Sequence, residues 1–270
     1  MTRESIAVNS HTDDHDLGLR HDLPRLLGRR SALGFLLGAG AMVATPSSAA
    51  GLLQCVVNSR ETAGPFPADG AGGRGGSVNV LTQEGIIRQD LRPSFNGMTP
   101  VAAGVPLDVA LTLVDAADGC SPLAGRAVYL WHCDAVGNYS LYDDGDRNYL
   151  RGVGISDEDG VVRFTTIFPG CYDGRWPHFH FEVFTSADQI VSGRESVLTS
   201  QISLPEADCV AVYEAESGIY SNGSRHLARQ DFNRDMIFED NSDAQKDQQM
   251  LKLTGDPAAG FRGTCVIGLA

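Results

Sequence analysis

From Leu107 onward, apolar and polar positions fall into short, regular runs. Leu107-Asp108-Val109-Ala110-Leu111-Thr112-Leu113 alternates with period two, the spacing that places every second side chain on one face of a strand. Ala127-Val128-Tyr129-Leu130-Trp131 does so less strictly, and residues 161–167, 179–184 and 196–202 are rich in β-branched and aromatic residues. Strands at short intervals, separated by turn residues, predict an all-β fold: an antiparallel β-sandwich with irregular loops and short helices. Residues 205–254 are more polar, with short helical stretches expected around 227–238, and are expected to wrap the sandwich. Residues 51–105 carry much Gly and Pro and little periodicity, and 68–77 is a glycine-rich loop. That loop reads either as a plain surface segment or as a lid over a pocket.

The first fifty residues follow a different rule. Residues 1–28 are polar and irregular and hold His11, His15 and His21. Arg29-Arg30 then precedes a mild apolar run to Ala44 and the small residues Ser47-Ser48-Ala49-Ala50. The run is too short and too weakly apolar for a membrane span. Residues 1–50 therefore read as a cleaved leader with a twin-arginine export signal, or with the basic end of a general secretory signal. Gln54 before Cys55 argues against a lipid anchor. The expected result is an exported protein, periplasmic or extracellular, with no stable membrane anchor. Residues 51–270 would form a single domain, its core motifs within 106–204.

Charge narrows the partners. The formal net charge is −13, which argues against nucleic acid and anionic membranes. Strongly anionic substrates would be disfavoured too, unless Arg88, Arg92 or Arg175 reverses the local field. All six cysteines (Cys55, Cys120, Cys133, Cys171, Cys209, Cys265) lie after the leader, and an even count in an exported chain suggests disulfides. Cys120 with Cys133 is the favoured pair, across a short connection. Thiolate ligation of a metal is the alternative, but no Cys-x-x-Cys occurs.

The candidate chemistry sits in Tyr139, Tyr172, His178 and His180. His178 and His180, two apart on a strand, project from one face and can address one ion. Phenolate is a hard anionic ligand and imidazole a borderline one. Two of each suit Fe(III) better than Zn(II). A trivalent ion can deprotonate a phenol far below its free pKa of about 10. Tyr142 and Tyr149 lie nearby as competing phenols, whereas Trp131, Trp176 and Phe179 read as packing residues.

Four segments also carry a resemblance to a known family. They are Trp131-His132-Cys133-Asp134-Ala135-Val136-Gly137-Asn138-Tyr139-Ser140, Ile155-Ser156-Asp157-Glu158-Asp159-Gly160, Thr166-Ile167-Phe168-Pro169-Gly170-Cys171-Tyr172 and Gly174-Arg175-Trp176-Pro177-His178-Phe179-His180-Phe181. In this order they resemble the intradiol ring-cleavage dioxygenases, the catechol and protocatechuate dioxygenase family. Weaker similarity runs from Cys55 to the C-terminus and includes Glu61-Thr62-Ala63-Gly64-Pro65-Phe66. The resemblance implies a β-sandwich catalytic core and a non-haem Fe(III) held by Tyr139, Tyr172, His178 and His180. It implies that Tyr172 leaves the metal as substrate binds and takes the substrate's proton. Arg175 would stabilise charge on the ring, and Gln201 would stand behind the ligands. The implied partners are a small catechol-like aromatic and O2, and the implied product is a muconate-type dicarboxylate. The helical N-terminal dimerisation domain of typical catechol dioxygenases has no counterpart here, which brings the chain nearer to the compact exported branch and leaves its oligomeric state open.

Two other readings compete. His178, His180 and Glu182 share one strand face and could form a two-histidine, one-carboxylate Fe(II) site. Alternatively the chain is a non-catalytic β-sandwich that binds a ligand or partner, since a fold does not by itself establish chemistry.

Overall fold

The computed structural model describes residues 56–72 and 78–270. The expected leader, Arg29-Arg30, Cys55 and the centre of the glycine-rich loop lie outside the described residues. All described residues belong to one compact unit, Ala50–Ala270.

Two sheets face each other. The first contains β1 (Pro106–Asp115), β2 (Ser121–Pro122), β5 (Val161–Ile167), β8 (Lys252–Asp256) and β9 (Gly260–Leu269). The second has the order β4 (Arg151–Ile155), β3 (Ala127–Trp131), β6 (His178–Phe184), β7 (Leu198–Ser203). The alternation in β1 does what its period demands: Leu107, Val109, Leu111 and Leu113 are buried, while Pro106 and Asp108 are exposed. They meet Val128, Leu130, Phe179, Phe181 and Val183 of the second sheet in the main core. The all-β sandwich expected from the sequence is therefore observed.

One pairing departs from the antiparallel expectation. β9 runs parallel to β1 along nine paired positions, from Leu107↔Phe261 to Asp115↔Leu269. β9 is a core strand, lying beyond the residues 106–204 expected to hold the core motifs. Its inward positions are Phe261, Gly263, Cys265 and Ile267, and the glycine breaks the apolar period that would have announced it. β4 is hidden in the same way. Its Gly152 and Gly154 leave no room for side chains: a Cβ would come within 2.4 Å of Leu91 and of Val162 respectively.

The second sheet is buried on both faces. Every residue of β3 and of β6 is buried, so neither strand shows the alternation of a half-exposed one. The outer face of this sheet carries Tyr129 and Trp131. It is roofed by Ala68, Val80, Leu81, Ile86 and Phe95, which form a second core with Tyr139. Three helices, α1 (Glu206–Ala215), α2 (Gly223–Leu227) and α3 (Asp243–Gln248), lie in the polar C-terminal region.

The expected Cys120–Cys133 disulfide does not form. Cys120 is disulfide-bonded, but Cys133, Cys171, Cys209 and Cys265 are free and buried. Cys120 closes the turn at the Asp115 end of β1, where its N–H donates to Asp115 O at 2.9 Å. Five residues of β3 then carry the chain away at about 3.3 Å each. Cys133 therefore lies past the far end of the sheet, with its thiol against Gly170 O.

Candidate metal centre

β6 sets the geometry. His178 and His180 point from its outer face, opposite Ser203 and Gln201 of β7 in register. On its other side β6 pairs with β3, so that Trp131 stands opposite His180 and their rings stack at 5.0 Å and 7°. Two loops complete the site. The turn after β3 brings in Tyr139, and the segment after β5 brings in Tyr172.

Four donor atoms converge. The Nε2 atoms of His178 and His180 are 3.0 Å apart. Tyr139 Oη lies 3.1 Å from His180 Nε2 and 3.4 Å from His178 Nε2. Tyr172 Oη lies 3.1 Å from His178 Nε2 and 3.4 Å from Tyr139 Oη. Hydrogen bonds to oxygen fix one tautomer: His178 Nδ1 faces the Trp176 carbonyl, which can only accept, so the Nε2 lone pair faces the cluster. His180 Nδ1 has no partner among the described residues.

Burial governs the electrostatics. It pushes the Tyr139 phenol well above its usual range, and the Tyr172 phenol beside it adds to the shift. Tyr172 is likewise raised by burial, with Arg175 opposing. Burial, then Arg175, holds both histidines well below the ordinary imidazole range. The cluster thus presents neutral imidazole lone pairs and two phenols that need a further positive charge to ionise. A cation held between these four atoms meets that need, and the donor set fits a hard trivalent ion.

Arg175 reaches the cluster from one side. Its Nη1 is 3.4 Å from His178 Nε2. Nη2 donates to Gln201 Oε1 at 2.6 Å, and Gln201 Nε2 donates to Thr62 O at 2.9 Å. The structure therefore brings together all six residues singled out in the sequence. Phe66 stacks on Tyr139 at 4.8 Å, and Gly64 packs on His180, where a Cβ would come within 3.2 Å of Cε1.

Other candidates fall away from the site. The Tyr142 hydroxyl accepts from Ala68 N, and the Tyr149 hydroxyl donates to Asp134. Glu182 turns towards Asp69 and Thr199. Among the described residues no group of three His, Cys, Asp or Glu side chains could hold a metal, which removes the geometric basis for the Fe(II) triad. Arg88 is spent on the Arg151 and Leu91 carbonyls and on the Phe95 ring. Arg92 pairs with Asp90 at 2.8 Å, so both side chains are engaged away from the donor cluster.

Sequence reasoning missed two residues. Asp235 binds Arg175 Nε at 2.9 Å. Fully buried Arg151 ties Ser140, Phe66, Pro67 and Tyr129 together. Asp235 has no local signal, since it lies in the polar C-terminal region. Arg151 has a faint one, a cation opening a strand of small and apolar residues.

A β-sandwich with a buried tyrosine–histidine donor cluster on its outer face is what the comparisons with known proteins must match. Residues 81–187 match the model of a family described as Dioxygenase. Catechol 1,2-dioxygenase of Pseudomonas sp. (strain EST1001) is 32% identical over 90 residues, covering 33% of this chain and 27% of that protein. The chain thus aligns with about a quarter of that relative's length. An intradiol ring-cleavage dioxygenase from Tetranychus urticae shares the fold, with TM-score 0.58 and 24% identity over 79% of this chain and 94% of its own. A second dioxygenase crystal structure does so at TM-score 0.58 and 22% identity, over the same shares of the two chains. Over residues 81–187 the chain is thus similar to the dioxygenase family, and it shares its fold with these solved structures.

Proposed function

We propose that this protein is a ferric-iron-dependent intradiol dioxygenase. It would insert both atoms of O2 into a catechol-like ring, cleave between the two hydroxylated carbons and release a muconate-type dicarboxylate. The observation that carries this reading is the convergence of two phenol oxygens and two Nε2 atoms within 3.0–3.4 Å of their neighbours. Tyr139, Tyr172, His178 and His180 would hold Fe(III), which would supply Lewis acidity and electron-accepting capacity for activating the ring.

The chain's own residues divide the remaining work. Tyr139 is enclosed, whereas Tyr172 is only partly buried. Tyr172 is thus the phenol with room to turn outward, and its Oη can take up a proton from an entering catechol hydroxyl. The Arg175 guanidinium would offer Nη1 to negative charge developing on the ring. Phe66 closes over Tyr139 and keeps water from that side. Catechol turned over under 18O2 by the iron-loaded protein should yield a ring-opened dicarboxylate with both labels. An extradiol product, or no ring opening across a panel of catechols, would contradict the proposal.

We infer also that residues 1–50 direct export and that the protein works in the periplasm or outside the cell. The paired arginines and the small residues before Gly51 support this. Among the described residues no helix is long and apolar enough to cross a membrane. Sequencing the N-terminus of the exported protein should place it near residue 50, and an uncleaved chain retained in the cytoplasm would overturn the inference.

A further inference from the structure

The Arg175 guanidinium has three nitrogens, and two are held by an oxygen acceptor. Nε donates to Asp235 Oδ2 at 2.9 Å, with Oδ1 at 3.3 Å. Nη2 donates to Gln201 Oε1 at 2.6 Å. A guanidinium is planar, so fixing two of its nitrogens fixes the direction of the third. That third nitrogen, Nη1, faces His178 Nε2 at 3.4 Å.

Asp235 is itself rigid. Its side chain is 2% exposed against 12% for Arg175. It follows the 3-10 turn Phe232–Arg234. Its Oδ1 accepts from Ile237 N at 3.0 Å, and its Oδ2 accepts from Trp176 N at 2.7 Å. One carboxylate oxygen thus binds both the Arg175 side chain and the next peptide along. The carbonyl of that next residue, Trp176, receives the Nδ1–H of His178. A single acidic side chain from the C-terminal region therefore holds the arginine and braces the histidine segment.

We propose that Asp235 is a positioning residue that aims Arg175 Nη1 at the reacting ring. The proposal rests on the dioxygenase reading for its effect on turnover, but its structural half does not. A buried ion pair of purely structural value would affect folding and leave turnover per folded, iron-loaded molecule unchanged. An aiming role affects turnover specifically, because an ångström of misplacement costs about a hundredfold.

Asp235→Asn is nearly isosteric and removes the charge. In the iron-free protein, the Arg175 Nε–H proton should exchange with solvent at least about tenfold faster in D235N, since its acceptor is weakened. In the iron-loaded protein, kcat should fall about tenfold to a hundredfold, with KM little changed and the visible band kept. Added to Arg175→Gln, D235N should cost nothing more, because the group it aims is gone. Unchanged exchange, wild-type kcat in D235N, or costs that multiply in the double variant would each overturn the proposal. Should D235N fail to fold, Asp235→Glu carries the test. It keeps the charge but displaces the carboxylate, so lowered kcat with the band retained supports aiming, and wild-type kcat overturns it. An unsubstituted protein that holds no iron or turns over no catechol would refute the dioxygenase reading instead, while the proton-exchange result would still judge the contact.

Discussion

The Nε2 atoms of His178 and His180, both buried, stand 3.0 Å apart. His178 Nδ1 carries its proton towards the Trp176 carbonyl, so the Nε2 of that ring brings a lone pair. Two phenol oxygens lie within 3.4 Å of the same atom. With the phenols neutral, their O–H groups can donate to these lone pairs; a bound cation would take the place of those protons.

Tyr139→Phe removes one of the four donors and keeps the buried ring. Iron affinity should fall by at least about a hundredfold, more than is typical for losing a residue that merely supports a ligand. Elemental analysis after dialysis checks it. Full iron content and unchanged colour in the variant would sink the assignment of Tyr139.

Glu182→Gln should retain its iron. The Glu182 carboxyl is turned away from the imidazoles towards Asp69, so neutralising it leaves the donor cluster whole. Loss of iron in this variant, by the same analysis, would revive the two-histidine, one-carboxylate site.

His132 sets an acid limit on stability. Burial is the main reason its folded pKa drops to about 3, with Arg151 adding and the Cys133 carbonyl opposing. In the unfolded chain the imidazole takes a proton below about 6.5. The unfolded state therefore binds more protons between these values. The stabilisation is complete above pH 6.5 and is lost as the pH falls towards 3, at up to about 1.4 kcal/mol per pH unit. Between pH 7 and pH 5 the wild type should lose about 2 kcal/mol more than His132→Gln. Urea denaturation at both pH values measures the difference, and identical losses would contradict the assignment.

Arg151→Met should loosen the roof of the site. The guanidinium serves the carbonyls of Phe66, Pro67 and Ser140; Pro67 would keep its bond from the Tyr129 hydroxyl, but Phe66 and Ser140 would lose their donor. A stability loss of roughly 3 kcal/mol is expected, with a weaker hold on Tyr139 through Ser140. Thermal unfolding of the iron-free variant within 0.5 kcal/mol of wild type, roughly the effect of an ordinary surface substitution, would exclude the clamp.

Gly64→Ala tests the cover over His180. The residue has φ +69° and would place its Cβ within 3.2 Å of His180 Cε1. The backbone alone costs about 1–2 kcal/mol, and relief of the contact must move either the loop or the ring. Lower stability together with a shifted visible band is expected. A band unchanged from wild type would show that the loop yields and the ring does not.

How much of this was legible depends on whether the signal was local. Residues i and i+2 on a strand share a face whatever the rest of the fold does, so the pairing of His178 with His180 could be read directly. The β1 pattern was equally direct, because one of its faces is exposed. Tyr139 and Tyr172 carry no periodic signal; only their motifs marked them. β4 and β9 escaped because Gly152, Gly154 and Gly263 occupy positions where packing demands the absence of a side chain. Asp235 escaped because its meeting with Arg175 is made by the tertiary fold. The Cys120–Cys133 pairing failed because closeness in sequence ignored the length of β3 between them.

The most direct test of the central claim is the visible spectrum of the purified protein, before and after anaerobic addition of catechol. Ferric iron held by Tyr139 and Tyr172 should give a broad tyrosinate-to-Fe(III) charge-transfer band that shifts when catechol is added. A protein that stays colourless after ferric reconstitution would contradict that claim.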